Sequence, residues 1–232
     1  MSLLEVEDIE TYYGESHILQ GVDLEVGDDE VVALLGRNGV GKTTTMRSIL
    51  QLTPPRSGSI RFDGEELLDK DTYEVAKAGI GWIPEERRMF GRLSVEENLK
   101  AAVPDTARMT DSLRMAYETF PILEQRQDQR AGDLSGGQQQ MLAIARGLVG
   151  DNELLLVDEP SEGLAPKIVT DVGEALLEAS RDRSILLVEQ KLGLALDLAD
   201  RFYVMDHGVI IDEGETADVS PEDERLRRYL SA

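Results

Sequence analysis

The sequence has 232 residues, 41% of them apolar, and its 46 acidic side chains against 24 basic ones leave a net charge of −22. It has no cysteine and two histidines, His17 and His207, far apart in the chain. Disulfides, thiol catalysis and cysteine-based metal sites are therefore excluded, and so acidic a surface repels nucleic acid unless a local basic patch overrides it.

The chain opens on Met1-Ser2-Leu3-Leu4-Glu5-Val6-Glu7, which lacks the basic head and apolar core of a signal peptide. Nor does it hold an apolar run of about 18 residues, so no segment is expected to span a bilayer. A chain made and kept in the cytosol is the expectation, folded as one domain. Residues 3–10 and 17–26 alternate apolar and polar, which predicts two half-exposed strands on either side of Gly14. Residues 31–35 are apolar throughout, as in a strand buried on both faces of a parallel sheet, and residues 154–157 and 185–188 repeat that pattern. Residues 42–52 predict a helix with Met46, Ile49 and Leu50 on one face. A short strand over 59–62 ends in the turn Asp63-Gly64, and a buried strand over 79–83 stops at Pro84. Ser94 and Glu97 form a capping box that opens a helix. Residues 111–120 predict a second, broken by Pro121, and residues 137–149 a third, with Met141, Ile144, Ala145 and Leu148 on one stripe. A helix over 192–199 and strands over 201–205 and 209–212 end the pattern. Strands alternating with helices, around a helical insertion, define an α/β class.

Gly36-Arg37-Asn38-Gly39-Val40-Gly41-Lys42-Thr43 matches G-x-x-x-x-G-K-[ST] between a buried strand and a helix. Glycines there let successive backbone N–H groups turn inward around phosphates, and the helix start aims its positive end at them. Lys42 adds a charge for the β- and γ-phosphates, Thr43 offers a hydroxyl to Mg²⁺, and Thr44 belongs to the same cradle. Asp158 and Glu159 stand at the end of a buried strand. If that strand neighbours the one before Gly36, Asp158 faces the Mg²⁺ held by Thr43, and Glu159 can orient a water for attack on the γ-phosphate. Leu134-Ser135-Gly136-Gly137-Gln138 opens another helix start suited to an anion. That helix is roughly 20 Å long and its far end leads to Asp158, so the Ser135 end is expected to point away from the chain's own phosphate loop.

In this order, phosphate loop, L-S-G-G-Q and acidic strand end resemble the ABC ATPases over almost the whole chain. The resemblance implies a P-loop NTPase (RecA-like) core with an antiparallel β subdomain at 1–86 and 151–232, and a helical subdomain at 87–150. It implies MgATP hydrolysis, and a second cassette, identical or a sister chain, whose nucleotide meets Ser135. Tyr13 matches the aromatic loop that stacks on adenine, although a strand tyrosine can equally be packing. Ser161-Glu162-Gly163-Leu164-Ala165 resembles the loop that touches the opposite cassette. Glu85 stands where the family has a glutamine that helps hold Mg²⁺, and Gln190 where it has a histidine on the γ-phosphate. Glu85 adds a charge and Gln190 cannot carry a proton, which leaves Glu159 as the base.

Ile83-Pro84-Glu85-Glu86-Arg87-Arg88-Met89-Phe90, residues 93–99, Leu187-Val188-Glu189-Gln190 and residues 161–166 are similar to the second ATPase of branched-chain amino-acid uptake transporters. The urea or short-chain amide uptake ATPase shares these segments. Two membrane permease subunits are thereby implied as partners, docking near residues 85–99 through Trp82, Met89, Phe90, Arg87 and Arg88, or else these side chains serve the core and pair with acids. A solute-binding protein outside the cell would act indirectly, with this chain peripheral on the cytoplasmic face. A soluble ABC ATPase without a transporter, and a module that binds ATP but rarely hydrolyses it, stand as alternatives. Arginine outnumbers lysine and acids populate nearly every loop, which fits a salty cytosol where screening removes self-repulsion. The purified protein is expected to unfold or lose turnover when molar salt is dialysed away; equal folding and activity at low salt refutes the adaptation.

Overall fold

The computed structural model describes residues 2–103 and 105–230. The chain runs through β1 (Ser2–Tyr13), β2 (Ser16–Gly27) and β3 (Val31–Leu35) into α1 (Lys42–Ile49). It continues as β4 (Ser57–Phe62), β5 (Glu65–Glu66), α2 (Thr72–Lys77) and β6 (Ile80–Ile83). A helical stretch follows, made of α3 (Val95–Lys100), α4 (Met109–Thr119), α5 (Pro121–Gln125) and α6 (Gly136–Leu148). β7 (Leu154–Asp158), α7 (Pro166–Ala179), β8 (Ser184–Glu189) and α8 (Leu192–Leu198) alternate after it, and β9 (Arg201–Asp206), β10 (Val209–Glu215) and α9 (Glu224–Leu230) come last.

Two sheets result. One is antiparallel, in the order β2-β1-β4-β5; the other has six strands in the order β10-β9-β3-β8-β7-β6, all parallel except β10. The continuous apolar runs fall on β3, β7 and β8, every residue of which is buried. Their side chains sort by the strand period of two. Val31, Ala33, Leu35, Leu155, Val157, Ile185 and Leu187 face a core shared with α7 and with α6 and the other helices of the insertion. Val32, Leu34, Leu154, Leu156, Leu186 and Val188 face a second core, shared with Met46 and Ile49 of α1 and with the antiparallel sheet. A strand between two cores has no polar face, hence no alternation in its sequence.

The structure departs from the sequence reading in four places. β7 does not neighbour β3, because β8 lies between them. β6 is an edge strand, so Gly81 and Trp82 are only half-buried. Pro121 both ends α4 and begins α5, since a proline lacks only an N–H that has no helical partner at a first position. Finally, α2, α7 and α9 are additional helices, and α7 too begins on a proline, Pro166.

Asn98 on α3 organises the start of the helical insertion. It is fully buried, accepts from the Phe90 N–H at 2.9 Å, and donates to the carbonyls of Phe90 (3.0 Å), Ser94 (2.8 Å) and Leu93 (3.4 Å). Ser94 and Glu97 form the expected capping box beside it. Asn98→Ala strands several buried backbone groups at once, so a loss of about 3 kcal/mol is expected in denaturant unfolding; a change below about 1 kcal/mol contradicts this account of the loop.

Candidate nucleotide site

The phosphate loop leaves the C-terminal end of β3 and closes at the start of α1. A side chain at Gly36 would put its Cβ 2.6 Å from the Met205 carbonyl oxygen. Gly41, at φ 124°, is hemmed in by Leu19 and Met205. Neither position admits another residue without moving backbone or core. Val40 is buried beneath the loop, and its carbonyl accepts from Gly208 N–H at 2.9 Å. Lys42 is buried as well. Its Nζ donates to the carbonyls of Gly36 (2.9 Å) and Arg37 (3.0 Å) and pairs with Glu159 Oε1 at 3.0 Å. A cavity of about 380 Å³ opens over the loop, lined by Tyr13, Ile18, Asn38, Gly39, the Gly41-Lys42-Thr43-Thr44 run, Glu85 and Glu159.

Although β8 separates β7 from β3, Thr43 still reaches Asp158: its Oγ1 donates to Oδ1 at 3.3 Å. The first turn of α1 carries it across the end of β8. Asp158 Oδ2 is buried without a hydrogen-bond partner. Burial pushes this carboxyl up to about 6, helped by the charge of Glu159 and opposed by the Thr43 hydroxyl and by Lys42. An orphaned carboxylate oxygen beside a threonine hydroxyl is a donor set for a hard divalent cation. Among the described residues no three His, Asp or Glu side chains come together to hold a metal alone. A cation here would have to find its other ligands beyond these side chains.

Glu85 projects into the same cavity from the segment after β6. The residue is exposed at its rim, yet partial burial of the carboxyl, a hydrogen bond to Glu162 and the charges of Glu162, Glu159 and Asp158 push it up to about 7. Near neutrality Glu85 thus holds a proton for part of the time, with Glu162 as its hydrogen-bond partner. Tyr13, at the end of β1, is 43% exposed at the cavity wall. Arg47 Nη1 and the Thr53 hydroxyl, both at 3.4 Å, hold its hydroxyl, leaving the ring as an open face.

The remaining sequence candidates lie elsewhere. Arg37 contributes its backbone. Gln190 is exposed just beyond β8, and its side chain is not on the cavity wall. Ser135 caps α6, accepting from Gln138 N–H at 3.4 Å while Gln138 Oε1 accepts from Ser135 N–H at 3.1 Å. With Gly136 as the first residue of α6, this helix start faces a different space. Ser135, Gly137 and Gln138 line a cleft of about 1010 Å³ between the helical insertion and α7, together with Gly163, Leu164 and Ala165. Sequence reading passed over Ile18, Arg47 and the partnership of Glu85 with Glu162. It also assigned nothing to Glu189, though an acid ending an apolar strand is the same signal that marks Asp158.

A lysine and glycine cradle at one strand end, facing a paired threonine and aspartate with a glutamate beside them, defines a P-loop ATPase. The profile of the family described as ABC transporter matches residues 19–162. A high-affinity branched-chain amino acid transport ATP-binding protein of Pseudomonas aeruginosa is 42% identical over 90% of this chain and 91% of its own. A probable branched-chain amino acid transport ATP-binding protein of Archaeoglobus fulgidus is 36% identical, with 93% of both chains covered. The lipopolysaccharide export ATP-binding protein of Haemophilus influenzae is 33% identical over 99% of this chain and 98% of its own. Among solved structures, an ATP-binding cassette of an ABC transporter superposes with a TM-score of 0.85, at 28% identity and full coverage of both chains. The chain belongs to the ABC transporter family of ATP-binding cassettes and has its fold, and as a member of that family it is an ATPase.

Asp158 supplies a pH test. Its folded-state value of about 6 stands above the ordinary 3.8. Between about pH 4 and about pH 6 the folded protein keeps a proton that the unfolded chain has lost, so this group's contribution to stability falls as pH rises through that window. Without divalent cation, Asp158→Asn is expected to be more stable than the parent at pH 8, by on the order of 2–3 kcal/mol, with the gap closing toward pH 4. Denaturant midpoints at the two pH values check this, and a gap independent of pH rules out the buried charge as its source.

Proposed function

We propose that the chain is the energy-coupling ATPase of an importer, with branched-chain amino acids as the transported solute. The Lys42–Glu159 contact carries the catalytic reading. In the structure the lysine holds the glutamate at 3.0 Å. A γ-phosphate entering the cradle competes for the same ammonium and frees the carboxylate to align a water for in-line attack. Backbone N–H groups from Asn38 to Thr44 cradle the phosphates, and Tyr13 offers its ring to the adenine. Thr43 and Asp158 would hold a magnesium ion, with Glu85 at its edge; when bound it would supply positive charge to the phosphates. The side-chain amide of Gln190, just beyond β8, would serve as a donor to the γ-phosphate. Ser135 and its glycines, which face a separate cleft, serve the nucleotide of a second cassette.

Two relatives at 42% and 36% identity carry branched-chain amino acid names, against 33% for the lipopolysaccharide export protein, and this favours import of such amino acids over export or urea uptake. No helix among the described residues is long and apolar enough to cross a membrane. Membrane subunits therefore supply the pathway, and this chain attaches to their cytoplasmic side. The segment after β6 suits that contact. Phe90 is 50% exposed and stands over the Arg146 guanidinium at 4.9 Å. Trp82 and Met89 pack mainly against the two cores, and Arg88 pairs with Glu86 at 2.8 Å, so Phe90 is the side chain most available to a partner.

Glu159→Gln is expected to bind ATP within a few-fold of the parent while its turnover falls by on the order of 10² or more. Lys42→Ala is expected to lose tight MgATP binding. Phosphate release and equilibrium binding measure the two; normal turnover in Glu159→Gln removes that residue from the chemistry. Co-reconstitution with its membrane subunits, with labelled leucine inside or outside the vesicles, tests solute and direction, and ATP-independent or outward leucine movement refutes the import reading.

A further inference from the structure

The end of β8 carries a buried carboxylate to which the chemistry above gives no task. Glu189 is only 2% exposed. Its Oε1 accepts from the Ser161 N–H at 3.2 Å, and its Oε2 from the N–H groups of Gln190 (3.0 Å) and Lys191 (3.1 Å). Lys191 completes the link, since its Nζ donates to the Ser161 carbonyl at 2.9 Å. One step earlier, the Glu159 N–H donates to the Val188 carbonyl at 2.9 Å. The three residues from Glu159 to Ser161 are thereby tied at both ends to consecutive residues of β8.

Between those ties Glu159 adopts φ 44°. A residue with a Cβ avoids the left-handed region and stays there only where its surroundings over-determine it. The Val188 and Glu189 ties are those surroundings, and the same Glu189 side chain sets the first two residues of the Gln190 loop. Only a carboxylate does this, because it presents acceptors on both oxygens, whereas an amide would turn an NH₂ toward one set of N–H donors.

We propose that Glu189 is a positioning residue for ATP hydrolysis, locking the backbone that aims Glu159 and the loop that bears Gln190 into one rigid unit at the end of β8. The proposal rests on the reading of Glu159 as the water-aligning carboxylate.

Steady-state ATPase kinetics on the full chain test it, with Glu159→Gln measured alongside. Glu189→Gln keeps the shape and removes one acceptor, so kcat is expected to fall about 10-fold or more with KM for MgATP within about twofold. Amide hydrogen exchange at Ser161, Gln190 or Lys191 should quicken in that variant. Lys191→Met, at an exposed position, should lower kcat by about 3-fold at unchanged KM, and Lys191→Arg should restore it. Normal turnover in Glu159→Gln would overturn the assignment of the base, whatever Glu189 does. An inactive Glu159→Gln beside a Glu189→Gln of parental kcat overturns the positioning role alone. Should Glu189→Gln fail to fold, a Lys191→Met variant with parental kcat, or one that Lys191→Arg does not rescue, overturns it equally.

Discussion

Everything in the site depends on three strands that have no solvent face. β3, β7 and β8 lie between two apolar cores, so each can show polarity only where it ends. All three run parallel, so those ends coincide. Gly36 follows Leu35, Asp158 and Glu159 follow Val157, and Glu189 and Gln190 follow Val188. Chemistry gathers at one rim of the sheet because only there do these strands leave the two cores and meet N–H groups, hydroxyls and an ammonium that can partner a charged side chain. Crossing connections then bring partners over the rim, which is how Thr43 meets Asp158 across the width of β8.

The rim is also electrostatically lopsided. Four carboxylates, Glu85, Asp158, Glu159 and Glu162, act on one another here while Lys42 pairs with Glu159, and burial together with the neighbouring negative charge pushes Glu85 and Asp158 up. Such a cluster attracts positive charge and resists ionising fully. A divalent cation carried on a polyphosphate would answer both demands, supplying positive charge to the acids while the phosphates occupied the glycine cradle. The departure at Glu85 belongs to this balance: where a neutral amide would leave the acids fewer, the extra carboxyl is accommodated by its own upward shift and its hydrogen bond to Glu162.

Much of this was legible from residues alone, for identifiable reasons. The apolar runs on β3, β7 and β8 announce burial on both faces, and the phosphate loop and Asp158-Glu159 announce what stands at two of the strand ends. α7 also has its signal, with Pro166 at its first position and Val172, Ala175, Leu176 and Ala179 spaced three, one and three apart. The order of parallel strands is different in kind. It is a tertiary property, set by how α1 and α7 pack, and no local pattern reports that β8 separates β3 from β7. The partnerships that hang on that order escape for the same reason: Glu189 with Ser161, and Glu85 with Glu162, are distant in sequence and meet only through strand register.

Helix α6 joins the two ends of the molecule's work. Its first turn is the capped start at Ser135, in a cleft apart from the phosphate loop. Further along, Gln140 accepts from Arg87 Nε at 3.0 Å, and Arg146 Nη1 donates to the Arg88 carbonyl at 3.0 Å. Arg87 and Arg88 sit in the left-handed region, so that segment is held rather than relaxed. Residues 87–90 are thus fastened through side-chain hydrogen bonds to the same helix whose first turn is the Ser135 start. The capped start and the held segment therefore share one scaffold.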